Sequence, residues 1–157
     1  STALANVFID ATGAQNIILT NNTSNNGSYG LYVKGGTTKA NSGTTVNVSN
    51  NTINNAQAWG LFVNFFRNIN IRNNTVNMAN TTSVANTVYG IDVSSTYGPN
   101  SIMGNILNLD YPAITTSGFG LRVITSDTSG PLENARLMNN IIRVTAPSGN
   151  IFGLALS

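Results

Sequence analysis

The chain contains no cysteine and no histidine, and each absence excludes a class of chemistry. Without cysteine there are neither disulfide bonds nor thiolate metal sites. Without histidine the chain lacks the commonest general base and metal ligand. Charged side chains are also scarce, because five acids and seven bases give a formal net charge of +2 at pH 7. That charge is too small and too scattered for a nucleic-acid-binding surface, so we expect no nucleic-acid partner.

The chain also lacks the signals of helices and of membrane spans. No segment combines helical periodicity with a capping box, and no apolar run reaches membrane-spanning length. Asn, Thr, Ser and Gly dominate instead, between short groups of Val, Ile and aromatic residues. Val, Ile and aromatic residues favour strands, whereas Gly, Asn and Ser favour bends. This composition predicts an all-β protein with a neutral, polar surface, which is typical of secreted or cell-surface proteins.

A glycine between apolar residues returns at nearly constant intervals along the chain. Four intervals of 30, 30, 30 and 33 residues separate the glycines. The glycines are Gly30, Gly60, Gly90, Gly120 and Gly153. Each is followed by Leu or Ile, a variable residue, and Val or Leu. A fixed period of this length predicts a stack of repeats rather than one globular core.

A second motif, built around a pair of asparagines, lies between the glycines. It reads Val-Asn-Val-Ser-Asn-Asn-Thr-Ile at 46–53 and Ile-Asn-Ile-Arg-Asn-Asn-Thr-Val at 69–76. The apolar residues alternate before the pair, as in a half-buried strand, and Asn tolerates the left-handed backbone of a bend. A third, weaker strand follows the pair, most clearly at 105–109. Three strands and three bends per repeat predict one rung of a parallel β-solenoid, and the chain holds about five rungs.

These two motifs together resemble the repeats of the pectin-lyase-like superfamily. The resemblance rests on Gly-Leu-x-Val followed by Asn-Ile-x-Ile-x-Asn-Asn-Thr-Val and covers residues 6–156. It implies a right-handed single-stranded parallel β-helix, which we expect to form one domain over residues 1–157. The superfamily includes polysaccharide lyases, hydrolases and epimerases, phage tailspikes and non-enzymatic surface proteins. Fold alone does not choose among these functions.

The second asparagine of each pair holds a fixed position in the repeat. If these side chains point inward at a bend, their amides can bond one another along the axis. A buried amide without partners is costly, so the ladder should be nearly complete. We therefore assign a structural role to Asn22, Asn51, Asn74, Asn105 and Asn140.

The variable residue after each glycine should point to solvent, and adjacent rungs lie about 4.8 Å apart. The resulting column of candidate glycan-binding residues is Phe8, Tyr32, Phe62, Asp92 and Arg122, followed by Ala155. Aromatic rings suit stacking on sugars, and an acid beside a base can hold hydroxyls or an acidic sugar. Two alternatives are that a loop or a partner subunit covers the aromatic rings, and that Asp92 and Arg122 form only an exposed ion pair.

The carboxylates do not form an obvious catalytic set. Glycoside hydrolysis normally needs two of them roughly 5–9.5 Å apart, and calcium needs six to eight oxygen ligands. Asp10 aligns with Lys34, away from the other acids, and Asp127 and Glu133 share a loop of turn-forming composition. We therefore expect no catalytic residues, no metal and no cofactor.

Two further outward columns precede the asparagine pairs. They are Thr20, Ser49, Arg72, Met103 and Met138, and Ile18, Asn47, Asn70, Ser101 and Arg136. The two methionines suggest a covered patch or a subunit contact, although a one-residue slip in register would turn them inward. The interrupted threonine pattern does not favour an ice-binding face.

Neither end of the chain carries a recognisable cap, which predicts a segment of a longer solenoid or a protomer that contacts neighbouring subunits. The leading functional hypothesis is a non-enzymatic structural or adhesive segment of an extracellular surface protein or fibre, with glycans as possible partners. The first alternative is a polysaccharide-active enzyme or its non-catalytic portion. The second is a phage tailspike or other virion fibre.

Overall fold

The protein is a parallel β-solenoid built from three stacked sheets. The computed structural model describes residues 5–79, 87–111, 117–125, 135–146 and 149–157. The strands of these residues are β1 (Ala5–Asp10), β2 (Asn16–Thr20), β3 (Thr23–Asn25), β4 (Tyr29–Lys34), β5 (Gly43–Ser49), β6 (Thr52–Asn54), β7 (Trp59–Asn64), β8 (Phe66–Arg72), β9 (Thr75–Ala79), β10 (Val88–Thr96), β11 (Asn100–Met103), β12 (Ile106–Asp110), β13 (Ser117–Thr125), β14 (Arg136–Met138), β15 (Ile141–Thr145) and β16 (Asn150–Leu156). In this part of the chain no helix is long and apolar enough to cross a membrane.

Every third strand pairs in parallel, as a coil of three-stranded rungs requires. The first sheet has the order β1-β4-β7-β10-β13-β16, the second β14-β11-β8-β5-β2 and the third β15-β12-β9-β6-β3. This order confirms the predicted parallel β-helix of five rungs, and the first sheet has a sixth strand. The third strand predicted at 105–109 is β12. The right-handed coil implied by the resemblance is the hand that twisted strands favour in parallel crossovers.

The glycine repeat sets the register of the first sheet. Leu31 pairs with Leu61 and Leu61 with Ile91, and all three side chains are buried. Alternating residues of the second and third sheets complete one continuous core, which includes Val48, Ile71 and Val76. Apolar burial of this kind is the main stabilising term, and here it runs along the axis of the stack.

The repeated glycine is required because the first sheet passes close to side chains of the third. A Cβ atom at Gly90 would lie 2.6 Å from the carbonyl oxygen of Gly120 and 2.8 Å from Leu107 Cδ2. Gly30, Gly60 and Gly120 face the same obstruction from the next rung and from the third sheet. Real Cβ atoms do not approach other atoms so closely, so any larger residue would force the sheets apart.

The bends between the second and third sheets explain the first residue of each asparagine pair. Asn50 and Asn73 have positive φ angles of 56° and 55°, in the left-handed region. Asn21 and Asn139 adopt the same geometry. In the fourth rung Gly104 holds this position, with φ of 67°. Glycine and asparagine are the residues that tolerate this backbone best, so the change from Asn to Gly keeps the bend.

The predicted asparagine ladder forms inside these bends. Asn51, Asn74 and Asn105 are at most 1 % exposed. Asn74 Oδ1 accepts hydrogen bonds from Asn51 Nδ2 at 2.9 Å and from its backbone nitrogen at 3.0 Å. Asn74 Nδ2 donates to Asn105 Oδ1 at 3.0 Å and to the Val48 carbonyl at 2.9 Å. Both hydrogens and both lone pairs of the amide are therefore used.

The two ends of the ladder differ from its interior. Asn22 is exposed, and its backbone nitrogen and Nδ2 both donate to Asn51 Oδ1 at 2.9 Å. Asn140 is half-buried; its Oδ1 accepts from Asn105, and its Nδ2 donates to the Ile102 carbonyl at 2.8 Å. All five predicted residues therefore belong to one continuous chain of amides.

Replacing Gly90 by alanine should destabilise the fold by about 1–3 kcal/mol, because the added methyl group overpacks the space between two sheets. Gly153→Ala is the matched control, since a Cβ there meets no atom within 4 Å. The control should leave the stability unchanged or slightly raised, because alanine restricts the unfolded chain. Urea unfolding of both variants measures the difference. Equal destabilisation would contradict the steric explanation of the repeat.

Replacing Asn74 by alanine should lower the free energy of unfolding by more than about 3 kcal/mol. The change removes the buried hydrogen bonds that Asn74 makes with Asn51 Nδ2, with the Asn51 backbone N–H and with the Val48 carbonyl. Asn22→Ala should cost less than about 1 kcal/mol, since that end of the ladder is exposed to water. Equilibrium unfolding followed by circular dichroism compares the two. Similar costs at both positions would show that the ladder does not contribute as a connected network.

Candidate functional site

The register places the five candidate residues in one column on the outer side of the first sheet. Phe8 pairs with Tyr32 and Tyr32 with Phe62. Asp92 follows Phe62 in the next rung, and Arg122 follows Asp92. The predicted alignment is therefore confirmed. We name these five residues the outer column.

The three aromatic residues of the outer column form a continuous ridge. Phe8 is 55 % exposed, whereas Tyr32 and Phe62 are half-buried. The ring centroids of Phe8 and Tyr32 are 4.9 Å apart with the planes at 75°, so one ring meets the other edge-on. Tyr32 and Phe62 are 4.8 Å apart and tilted by 48°. The ridge is one surface, and Phe8 is its most accessible ring.

Asp92 is not the exposed residue that the alternation of the strand predicted. Its side chain is 0 % exposed. Arg122 donates from Nε to Asp92 Oδ1 at 2.9 Å and from Nη2 to Oδ2 at 2.6 Å. Trp59 Nε1 also donates to Oδ2, at 3.0 Å. The side chain leaves the sheet on the outer face, but longer neighbours from adjacent rungs cover it. The predicted cross-rung ion pair of Asp92 and Arg122 therefore forms, but its carboxylate is buried rather than exposed.

Arg122 lies between this carboxylate and the solvent. Its side chain is 24 % exposed, and its guanidinium carbon is 4.1 Å from the ring centroid of Tyr89. Burial lowers the pKa of Arg122, but the hydrogen bond and the charge of Asp92 outweigh burial and raise that pKa overall. The bidentate pair cancels the charge of both residues, so this part of the surface is electrically neutral.

A second row of aromatic rings, which the alternation rule missed, runs beside the outer column. Its members precede the repeated glycines and are Tyr29, Trp59, Tyr89, Phe119 and Phe152. Their centroids are 4.7–5.2 Å apart and successive planes differ by 7–18°. The sequence contains a pattern that indicates this row, because an aromatic residue precedes every repeated glycine. Strict alternation hid it, since Gly30 and Leu31 are both buried and shift the phase of the strand.

The stacking determines what this row offers a ligand. Each inner ring has a neighbouring ring on both faces. Trp59 and Phe119 are half-buried, whereas Tyr89 is buried and lies against Arg122. Tyr29 also stacks on Tyr32 at 5.1 Å, which joins the row to the ridge. We name the row and the ridge together the aromatic surface. It presents ring edges, tyrosine hydroxyls and the open side of Phe8.

The other acids do not join the aromatic surface. Asp10 pairs with Lys34 at 3.5 Å and accepts a 2.6 Å hydrogen bond from Thr12 Oγ1. The hydrogen bond from Thr12 lowers the pKa of Asp10. Asp127 and Glu133 lie outside the described residues. Over the described ranges no three acidic, histidine or cysteine side chains are grouped in a way that could hold a metal ion.

Both predicted columns of the second sheet are confirmed by its register. Thr20 and Ser49 continue through Arg72 to the two methionines, and the column that starts at Ile18 ends at Arg136. Met138 is 49 % exposed. The alternative of a register slip that turns the methionines inward is therefore wrong. A small cavity of about 210 Å³ lies between the columns and is lined by Asn47, Ser49, Asn70 and Arg72.

Comparisons of the chain with protein-family models, with curated proteins and with solved structures find no match. The resemblance to pectin-lyase-like repeats therefore rests on the two sequence motifs, and the structure adds the parallel β-solenoid that those motifs imply. The chemistry of the aromatic surface is therefore inferred from its own residues and geometry.

Buried tyrosines should make the fold sensitive to alkali. Burial raises the pKa of Tyr29, Tyr89 and the fully buried Tyr111 above 10.0. The folded state therefore holds protons that the unfolded state releases, and stability present below pH 10 is lost as the pH rises further. Tyr111→Phe should shift this loss to higher pH, because it removes a buried phenol whose hydroxyl makes a long 3.7 Å contact with Met78 Sδ.

Thermal unfolding at a series of pH values from neutral to strongly alkaline measures this effect. The phenylalanine variant should resemble the parent protein at neutral pH and exceed it in melting temperature above pH 10. Identical alkaline profiles would mean that Tyr111 does not contribute to the loss.

Proposed function

We propose that the chain is a non-enzymatic structural and adhesive segment of an extracellular surface protein or fibre, of the pectin-lyase-like β-helix type. The observation that carries this proposal is the continuity of three ladders along one axis. Backbone pairing, the asparagine ladder and the aromatic row each run through successive rungs. Bending the rod would stretch all three at once, so the segment would act as a stiff spacer.

The adhesive part of the proposal rests on the aromatic surface. Phe8, Tyr32 and Phe62 give a ridge of apolar area with a tyrosine hydroxyl, which suits the apolar faces and hydroxyls of sugars. The ion pair of Asp92 and Arg122 leaves no net charge there and no free carboxylate. The surface therefore favours neutral glycans over acidic ones.

An enzymatic role is the first alternative, and Asp92 is a poor candidate for it. Its side chain is 0 % exposed, and three hydrogen bonds from Arg122 and Trp59 hold its oxygens, so a substrate cannot reach it to exchange a proton. A glycosidase also needs a second carboxylate near the first. Carboxylates on further rungs would be required to support this alternative.

A virion fibre is the second alternative, and one observation favours it. The outer face of the second sheet exposes Ile18 (68 %) and Met138 (49 %). Such side chains would be buried at contacts between subunits of a fibre. The mass of the protein in solution, measured by light scattering, distinguishes a trimeric fibre from a monomeric segment.

A pull-down against neutral and acidic polysaccharides, with mass spectrometry of the supernatant, tests the proposal. We expect binding to neutral polymers without oligosaccharide products. Phe8→Ala should weaken binding about tenfold, which corresponds to about 1.4 kcal/mol, with little change in melting temperature because the ring is exposed. Ile18→Ala, an exposed apolar residue on another face, is the control. Products would overturn the non-enzymatic assignment, and unchanged binding by the Phe8 variant would exclude the ridge as the site.

A further inference from the structure

A second row of asparagines lies on the outer face of the third sheet. Asn25 pairs with Asn54, Asn54 with Asn77, and Asn77 with Asn108. Each Nδ2 donates to the Oδ1 of the preceding rung at 2.9 Å. The row is distinct from the buried ladder, because these residues are half-buried or exposed. We name it the outer amide row.

Arg143 continues the outer amide row and fixes its last amide. Its backbone pairs with Asn108, and its Nη1 donates to Asn108 Oδ1 at 3.0 Å. Every amide of the row is thus held in one orientation before any ligand arrives. The bonds along the row use one hydrogen and one lone pair of Asn77 and of Asn108, so each amide keeps one donor and one acceptor.

A groove of about 440 Å³ lies over this part of the third sheet. Its polar lining comes from Asn55, Asn77, Asn108, Asp110, Arg143 and Thr145. A volume of this size is within the usual range for small-molecule sites, about 300–1,000 Å³. Asp110 and Thr145 pair in the register two residues beyond the amide row. At the usual rise of a strand this places them about 6.6 Å further along the strands.

The groove contains hydrogen-bonding groups of both kinds and little net charge. Asp110 is exposed and supplies carboxylate acceptors, whereas Arg143 has further N–H donors beyond the one bound to Asn108. The amides and the Thr145 hydroxyl both donate and accept. Met78, Ala79 and Leu109 add apolar area to the lining. A matching ligand therefore presents groups that donate and accept at once beside apolar area, and sugars combine such hydroxyls with apolar faces. Asp110 and Arg143 balance each other's charge, so the groove has no excess positive charge that would attract an anionic chain.

We propose that this groove is a second glycan subsite, which binds a neutral oligosaccharide through hydrogen bonds to its hydroxyls. The inference rests on the proposed glycan-contacting function but assigns it to a different face of the solenoid. The amides repeat once per rung, about 4.8 Å apart, so neighbouring sugar units along the axis meet equivalent groups. A rod with an aromatic surface on its first sheet and this groove on its third holds two glycan chains at once and cross-links them.

Nuclear magnetic resonance of the ¹⁵N-labelled chain tests the subsite directly. The probes are cellohexaose, xylohexaose and mannohexaose, with hexagalacturonic acid as the acidic comparison. Binding should shift the side-chain amide signals of Asn77 and Asn108 with at least one neutral probe. Asp110→Ala should weaken that binding roughly tenfold or more, because it removes hydrogen bonds to a charged acceptor. Asn25→Ala removes an amide of the same row outside the groove and is the matched control.

The outcomes separate this subsite from the aromatic surface. Shifts at Asn77 and Asn108 that persist in Phe8→Ala and need a higher probe concentration in Asp110→Ala support the groove, even if the aromatic surface binds nothing. Shifts confined to the aromatic surface, no shift with any neutral probe, or tighter binding of the acidic probe would each overturn the inference. Equal losses in the Asn25 and Asp110 variants would also overturn it, because they would indicate a general effect on the fold.

Discussion

The structure depends on one constraint, which is that each residue lies about 4.8 Å from its counterpart in the next rung. At this distance identical groups are good partners for one another. An amide can bond the next amide, a ring can stack on the next ring, and a branched apolar side chain can pack on the next one. The repeated glycine satisfies the same constraint by leaving room where two sheets approach. A sequence that repeats its residue types in register therefore folds by repeating its contacts.

This constraint explains how much could be predicted from the sequence. The period of the glycines predicted the register of the first sheet, and the asparagine pairs predicted both the left-handed bends and the buried ladder. The aromatic row was missed because two consecutive buried residues, Gly30 and Leu31, break the alternation. Asp92 was wrongly expected to be exposed because its cover comes from Trp59 and Arg122, on neighbouring rungs. The alternation of a strand predicts to which side of the sheet a side chain points. It does not predict whether longer side chains from neighbouring rungs bury it.

The three outer faces differ although one repeat builds them all. The first sheet is aromatic and neutral, the second carries methionines and arginines, and the third carries the outer amide row. Inward positions must pack in the core, whereas outward positions need only match their neighbours along the same face, so each face can carry its own chemistry on the same rod. Such a division of roles suits a scaffold whose contacts with glycans or neighbouring subunits are spread along its length rather than gathered in one deep pocket.

The two amide ladders also have an electrical consequence. In the buried ladder each Nδ2 donates toward the rung that follows, from Asn51 to Asn74, whereas in the outer amide row it donates toward the rung before, from Asn77 to Asn54. The amide-to-amide bonds of the two rows therefore run in opposite directions along the axis, and each buried Nδ2 also donates backward, as Asn51 does to the Leu19 carbonyl. A long helix accumulates partial charges at its two termini, and sheets have only small net dipoles. Further rungs would extend hydrogen bonds of both directions together, so the amide dipoles would not all add in one direction as the peptide dipoles of a long helix do.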